Sequence, residues 1–354
     1  MKYSNYLFFV ADIHYHKNYL EYIKEPMNDL ITQLKEKKPL ITVIGGDYFH
    51  KRLSAEEETY NIAISNIIEM SKYTKHLIFI RGTYSHDYNT LDILNNLKKI
   101  QNNIYYFDKA EHIILENKRI LLLPEEYPID PISYYKPFFE NKKYDFIFGH
   151  GDIKGAILHS GIENSLLKGF KFDLELLSNI SKWTFFGHIH KQQFLKYNVG
   201  YPGSLARTRH GENEDKGFFI LNMDNNEVFF KIVNTFEFRT IIINNEEDLE
   251  KYKKYLNDTN INVNIKLDRN VSFLKEEIKN LSVNNDIIFS NIKEEENNNE
   301  LKFLDIEKLS ILEQYSLILE KDFEEKKIPK KYNNFLNEES IKNKVNLIIK
   351  KLTL

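Results

Sequence analysis

The chain has 354 residues, 42% of them apolar and 29% charged, with a formal net charge of −3 and no cysteine. That length leaves room for about two domains of roughly 150 residues each in a packed globule, and the near-neutral balance excludes a wholly basic DNA binder without excluding a local basic groove. Without cysteine, disulfides, zinc ribbons and thiol nucleophiles are excluded, so any metal must be held by His, Asp, Glu or Asn.

In chain order, Tyr6–Val10 reads as a buried strand whose apolar run stops at Asp12, too short for the core of a signal peptide. Tyr22, Ile23, Met27, Leu30, Ile31 and Leu34 then recur at helical spacing, and Pro26 suggests that the helix starts there, since proline suits a first turn. Leu40–Ile44 is a second strand. Ser54 and Glu57 form a capping box opening a helix whose apolar face is Tyr60, Ile64, Ile67 and Ile68. Leu77–Ile80, Phe146–Phe148 and Trp183–Phe186 are further buried strands. Ile113–Leu123 reads as a hairpin, and so does Phe218–Val233, turning near Asp224-Asn225-Asn226. Strands alternating with helices predict an α/β layered domain over residues 1–236.

Beyond it, Asp248–Leu256 (helix), Asn260–Leu267 (strand), Val271–Leu281 (helix) and Ile287–Ile292 (strand) predict a small α+β module over 237–293. The polar run Glu294 to Asn299 is a break. The last segment, 294–354, carries Leu309, Leu312, Tyr315, Ile318 and Leu319, then Ile341, Val345, Ile348 and Leu352, at helical spacing. No stretch approaches the ~18 apolar residues of a membrane span.

The segments just after the buried strands carry the chemistry. Asp12-Ile13-His14 comes after the first, Gly45-Gly46-Asp47-Tyr48-Phe49-His50 after the second and Arg81-Gly82-Thr83-Tyr84-Ser85-His86-Asp87 after the third. Gly149-His150-Gly151-Asp152 and Gly187-His188-Ile189-His190 come after the other two. In an α/β sheet such carboxyl ends gather at one edge, where ligands bind. Asp12 and His14, two apart, can point the same way from an extended segment, and His188 and His190 repeat the arrangement. Taken singly, a His after a strand is more often a surface residue and an Asp there more often a turn residue or helix cap. In order and together, these segments make a site for cations. Carboxylates and imidazoles without thiolate suit Mn, Fe or Zn better than Mg.

These ordered motifs resemble those of the calcineurin-like metallophosphoesterases. Gly45-Gly46-Asp47-Tyr48-Phe49-His50, with Tyr201-Pro202-Gly203-Ser204 and Lys216-Gly217-Phe218, is similar to the DNA-nuclease branch: bacterial SbcD, its T-even phage relatives and the eukaryotic meiotic recombination nuclease. The resemblance implies a layered β-sandwich core flanked by helices, two divalent ions, with Mn expected, and hydrolysis of phosphodiester bonds in DNA. It implies one ion on Asp12, His14 and His190, a second on His150, His188 and a residue of the third motif, and Asp47 between them. His86 would stabilise the transition state or act as acid, and His50 would lie near the scissile phosphate or behind a ligand. The third motif departs from the family. The usual Asn before His is missing, Ser85 stands before His86, and two residues are inserted, so Ser85 or Thr83 is expected on the second ion.

The resemblance also implies an SMC-type ATPase partner of the SbcC kind, docked by the tail, in a DNA repair or recombination complex that could include a homodimer. The setting would be the cytoplasm of a bacterium or of a phage-infected host. Arg207, Arg209 and His210 could touch DNA phosphates, or form only a solvated basic turn. Two other readings stay open: a generic phosphodiesterase or phosphatase on the same scaffold, and a catalytically weak DNA-binding scaffold.

Overall fold

A computed structural model describes residues 2–290, apart from 88–89, 159–162, 165–168, 213, 257, 259–260 and 282–284. The tail expected to dock on a partner, 294–354, lies outside the described residues.

Two six-stranded sheets form the core. In the first, β1 (Ser4–Val10), β2 (Pro39–Ile44), β3 (His76–Ile80) and β4 (Ile104–Phe107) run parallel. The hairpin of β11 (Gly217–Asn222) and β12 (Glu227–Ile232) adds antiparallel to the free side of β1. In the second, β6 (Lys118–Leu123), β7 (Tyr144–His150), β8 (Ser181–Gly187) and β10 (Val199–Tyr201) run parallel, edged by antiparallel β5 (Glu111–Leu115) and β9 (Gln193–Lys196). The β5–β6 turn falls on Glu116 and Asn117, both left-handed at φ 51° and 59°, the conformation that tight hairpins require.

The inner strands carry near-continuous apolar runs because both of their faces are covered. Leu7, Phe9 and Ala11 of the first strand region face the second sheet, meeting Ile120, Leu122, Phe146, Phe148 and Phe185. The alternate residues Phe8 and Val10 pack under α1 (Leu20–Lys37) and α2 (Glu58–Ser71). Behind the second sheet, α5 (Pro131–Phe139) and α6 (Leu174–Ile180) bring Tyr135 and Leu177 against Ile147 and Phe186. Two short helices, α3 (Tyr84–Asp87) and α4 (Leu94–Leu97), lie between β3 and β4. The core is thus a β-sandwich between helical layers.

Helix α1 begins six residues before Pro26, not at it. The proline forfeits one backbone hydrogen bond, but Ile23, Pro26, Met27, Leu30, Ile31 and Leu34 are all buried, and that packing carries the extra turn. At α2 the Glu57 carboxylate accepts from Ser54 N at 2.8 Å, half of the capping box. The Ser54 hydroxyl accepts instead from Glu56 N at 3.3 Å. The face it buries centres on Ala63, Ile67 and Met70, so Tyr60, Ile64 and Ile68 sit at its edges.

From Glu237 the chain builds a separate three-stranded parallel sheet, β13 (Glu237–Ile243), β14 (Ile261–Asp268) and β15 (Asn285–Ser290). Helices α7 (Glu246–Leu256) and α8 (Lys275–Leu281) and a 3-10 segment, Arg269–Leu274, connect the strands. The sheet has its own core around Ile243, Leu249, Val263, Ile265 and Ile278. Tyr22 packs on Phe236 and Phe238 where this unit meets the sandwich, with ring centroids 4.8 and 5.0 Å apart.

Candidate active site

Strands β1, β2, β3, β7 and β8 end side by side, and hydrogen bonds stitch together the segments after them. Asp12 N donates to Gly46 O at 3.1 Å and His14 N to Asp47 O at 2.9 Å. Hydrogen bonds also cross between the sheets: His188 N donates to both oxygens of the Asp12 carboxylate at 2.9 and 3.0 Å, and His150 Nδ1 donates to Gly45 O at 2.8 Å. Spending Nδ1 on a carbonyl leaves His150 Nε2 as the free nitrogen, 3.4 Å from Asp47 Oδ2.

The segments are not extended, as two-residue spacing suggested for Asp12 and His14. Asp12, His14, Asp47 and His188 all have left-handed backbone, at φ 53°, 58°, 50° and 99°. Each such residue costs on the order of 1 kcal/mol or more, and strain of this kind concentrates at functional sites. The turns that expose these side chains require it. Backbones also come very close. A Cβ on Gly82 would lie 2.2 Å from both the amide nitrogen and Oδ1 of Asp47, so the third motif can pack on the second only through a glycine.

The described side chains form three groups of metal-ligating geometry, Asp12 with His14 and His190, Asp47 with His150 and His188, and His14 with His50 and His86; the first two contain a carboxylate and are the candidate ligand sets. His14 Nε2 and His190 Nε2 converge to 2.9 Å. Asp47 Oδ2 lies 3.9 Å from His14 Nε2 and 3.4 Å from His150 Nε2, so a single carboxylate oxygen faces both sets. His86 Nδ1 is 2.9 Å from the same oxygen. His50 lies beside His86 and His14, with ring centroids 5.2 and 5.3 Å apart, and its Nδ1 is 3.4 Å from His14 Nδ1. His50 thus backs a ligand and also borders the space next to His86.

Burial and the two carboxylates set the charge states. Burial would raise the Asp47 carboxyl, but the His150 charge and the hydrogen bonds from His150 and His86 hold it well below the usual range. Burial raises Asp12. Burial, then His190, lowers His14 well below an ordinary imidazole. For His150, burial is outweighed by Asp47, Asp12 and Glu125, which push it up to about 10. The two remaining histidines are driven apart. Burial and the neighbouring His86 and His16 take His50 down to about 4, whereas the Asp47 hydrogen bond and charge overcome burial and raise His86. His50 is therefore neutral at pH 7, and His86 is biased toward carrying a proton.

In the third motif, Thr83 rather than Ser85 enters the cluster. Thr83 N donates to Asp47 Oδ1 at 2.6 Å, and Thr83 Oγ1 lies 3.2 Å from Asp47 Oδ2 and 3.4 Å from His150 Nε2. Ser85 is exposed on α3, because a helical turn starts at Tyr84 and carries it away from the side that Thr83 occupies. Three acidic residues not singled out in the sequence also support the site. Asp87 accepts from Phe49 N at 3.0 Å and Gly82 N at 2.8 Å, tying the second motif to the third. Glu212 Oε1 is 3.4 Å from His190 Nδ1 and orients that ring from behind. Glu125 Oε2 lies 3.8 Å from His150 Nε2 and 4.0 Å from His188 Nδ1, buried and without a hydrogen-bond partner. A signal for Glu125 was present: it comes after β6 as the other ligand segments come after their strands.

The groups proposed for DNA contact divide. The Arg207 guanidinium donates to Glu214 O at 2.9 Å, and His210 Nε2 is 3.0 Å from Asn262 Oδ1 in the three-stranded unit. Arg209 is exposed and pairs with Glu212 at 3.5 Å. Among the described residues, no helix is long and apolar enough to cross a membrane.

The donor set fits divalent cations. Buried carboxylates and imidazole nitrogens converge, an orphaned carboxylate oxygen faces two of the rings, and strained backbone holds four of the donors in place. Two viral proteins are similar to this chain in sequence. The candidate phosphoesterase 244L of Invertebrate iridescent virus 6 is 28% identical over 233 residues, covering 63% of this chain and 77% of that protein. The candidate phosphoesterase 078R of Invertebrate iridescent virus 3 is 24% identical over 235 residues, and the match spans 64% of this chain and 65% of the viral one. The solution structure of Thermotoga maritima protein TM1076 is 16% identical with a TM-score of 0.30, covering 65% of this chain and 99% of that one. The family model for calcineurin-like phosphoesterase matches residues 7–192, a span that opens in β1 and closes just past His190 and so contains every ligand segment described above. With that span matched and its histidines and aspartates gathered into two ligand sets, the chain belongs to the calcineurin-like phosphoesterases and is a metal-dependent hydrolase.

Proposed function

We propose that this phosphoesterase hydrolyses phosphodiester bonds in DNA with two Mn ions and acts as the nuclease subunit of an SbcCD-like repair or recombination complex. The observation that carries the diester reading is the placement of His50. The Phe49-His50 pair that marks the nuclease branch puts a neutral imidazole beside the proton-biased His86, at the rim of the two ligand sets. A phosphodiester has a leaving alkoxide to protonate and a second esterified oxygen to position, and two imidazoles in opposite charge states suit those tasks.

Asp12, His14 and His190 would hold one ion and His150 and His188 the other, with Asp47 shared. When bound, the ions neutralise the phosphoryl oxygens and lower the pKa of a coordinated water. The protein's own residues do the rest. His150 is fixed by Gly45 O, and His190 by Glu212, so both rings are oriented before substrate arrives. His86 spends Nδ1 on Asp47, which leaves Nε2 to donate its proton to the departing oxygen. Arg209, exposed beside the cluster, could meet a flanking phosphate.

The test is an assay with Mn and end-labelled single- and double-stranded DNA, run beside bis-p-nitrophenyl phosphate. Cleavage of the small diester with DNA left intact would favour a generic phosphodiesterase.

A further inference from the structure

The second ligand set lacks the amide that the family places there, and Thr83 is a poor replacement. Its hydroxyl is neutral and already lies 3.2 Å from Asp47 Oδ2. Glu125 stands beside both histidines of that set. Its backbone is pinned to the third motif: Glu125 N donates to Arg81 O at 3.3 Å, and Arg81 Nη2 donates to Glu125 O at 3.1 Å. Its Oε1 accepts from the Tyr127 hydroxyl. These bonds leave Oε2, which is buried, has no hydrogen-bond partner, and lies 3.8 Å from His150 Nε2 and 4.0 Å from His188 Nδ1. A buried carboxylate oxygen is costly to leave unpaired. Here it is held in place and aimed at two imidazoles that belong to a ligand set.

We infer that Glu125 is a ligand of the second divalent ion, taking the place of the family's asparagine. The inference rests on the two-ion reading of the site. The exchange has a consequence for the ion. A carboxylate in place of an amide adds one negative charge to the set, so the second ion is held more tightly than a neutral ligand would hold it.

The test is Mn binding by the full chain, followed by titration calorimetry and by electron paramagnetic resonance, which separates a lone Mn from a coupled pair. Wild type binds two Mn and gives the coupled signal. Glu125→Ala keeps the first ion, loses second-site affinity by about tenfold or more, and gives the lone-ion signal at Mn concentrations that fill both sites in wild type. Glu125→Gln, close in shape and carrying the family's amide, falls between the two, and Ser85→Ala matches wild type. Two ions bound with unchanged affinity in both Glu125 variants would overturn the inference and leave the two-ion reading standing. One ion or none in wild type would overturn the two-ion reading itself. Circular dichroism of each variant separates loss of the ion from loss of the fold, and Glu125→Gln decides the matter if Glu125→Ala does not fold.

Discussion

Asp47 and His86 share a hydrogen bond but are expected to fail in different ways. Asp47 Oδ2 faces both ligand sets, so Asp47→Ala should lose ions and hydrolysis together. His86 hydrogen-bonds Asp47 and lies edge-on to His14, with ring centroids 4.9 Å apart, but belongs to neither carboxylate-containing set, so His86→Ala should keep its ions and lose turnover by about 100-fold or more. Metal titration beside single-turnover kinetics checks the pair, and loss of an ion from His86→Ala would make His86 a ligand instead of an acid. Glu212 gives a pH test. Burial alone would raise its carboxyl, but the His190 hydrogen bond and the Lys216 ammonium bring it down from the ordinary 4.5 to about 2. A depressed folded pKa stabilises the fold fully above pH 4.5, and that stabilisation is lost as pH falls through about 2. The contribution at neutral pH is on the order of 3 kcal/mol. Denaturant melts of the ion-free chain between pH 2 and 7 should therefore show a steeper acid loss in wild type than in Glu212→Gln. Parallel curves would show that Glu212 has no such role.

The elements were more legible than the turns between them. Both-face burial writes β1, β2, β3, β7 and β8 into the sequence as apolar runs, and all of them form. The hairpins were equally plain because turn residues interrupt alternating strands. What escaped depended on tertiary contact. Helix α1 extends through Pro26 because its face is buried, β13 pairs only with the distant β14, and the left-handed backbone at Asp12, His14, Asp47 and His188 is fixed by hydrogen bonds between loops. The ligand histidines could be picked out because each comes at the end of a strand or just after one. Thr83 and Ser85 could not be told apart without knowing that a helical turn begins at Tyr84, and Glu125, although it too comes just after a strand, was passed over because β6 reads in the sequence as half of a hairpin. The strands also carry the site mechanically. Phe148 lies in the stack between the sheets, 5.6 Å from Phe9 and 6.3 Å from Phe185 by ring centroid, two residues before His150. Phe148→Ala should cost about 3–5 kcal/mol and weaken ion binding at the second set. Thermal melts with and without Mn measure both effects, and a loss under about 1 kcal/mol would contradict this packing account.

At the scale of the molecule, the sandwich and the three-stranded unit meet at Tyr22, Phe236 and Phe238, and His210 reaches across to Asn262. A chain ending at Asn299 retains both units. If the apolar stripes after Asn299 are a docking segment for an SMC-type ATPase, that chain should keep its ions and basal hydrolysis and lose ATPase binding and ATP-dependent stimulation. A pull-down with the ATPase decides this, and full binding by the shortened chain would remove the docking role.

The most direct test of the central claim, that this cluster is an ion-dependent DNA phosphodiesterase centre, is the rate of end-labelled DNA hydrolysis against Mn concentration for wild type and Asp47→Ala side by side. The structure predicts a rate that rises with Mn and saturates in wild type and is abolished in Asp47→Ala. Equal Mn-dependent hydrolysis by both proteins would contradict it.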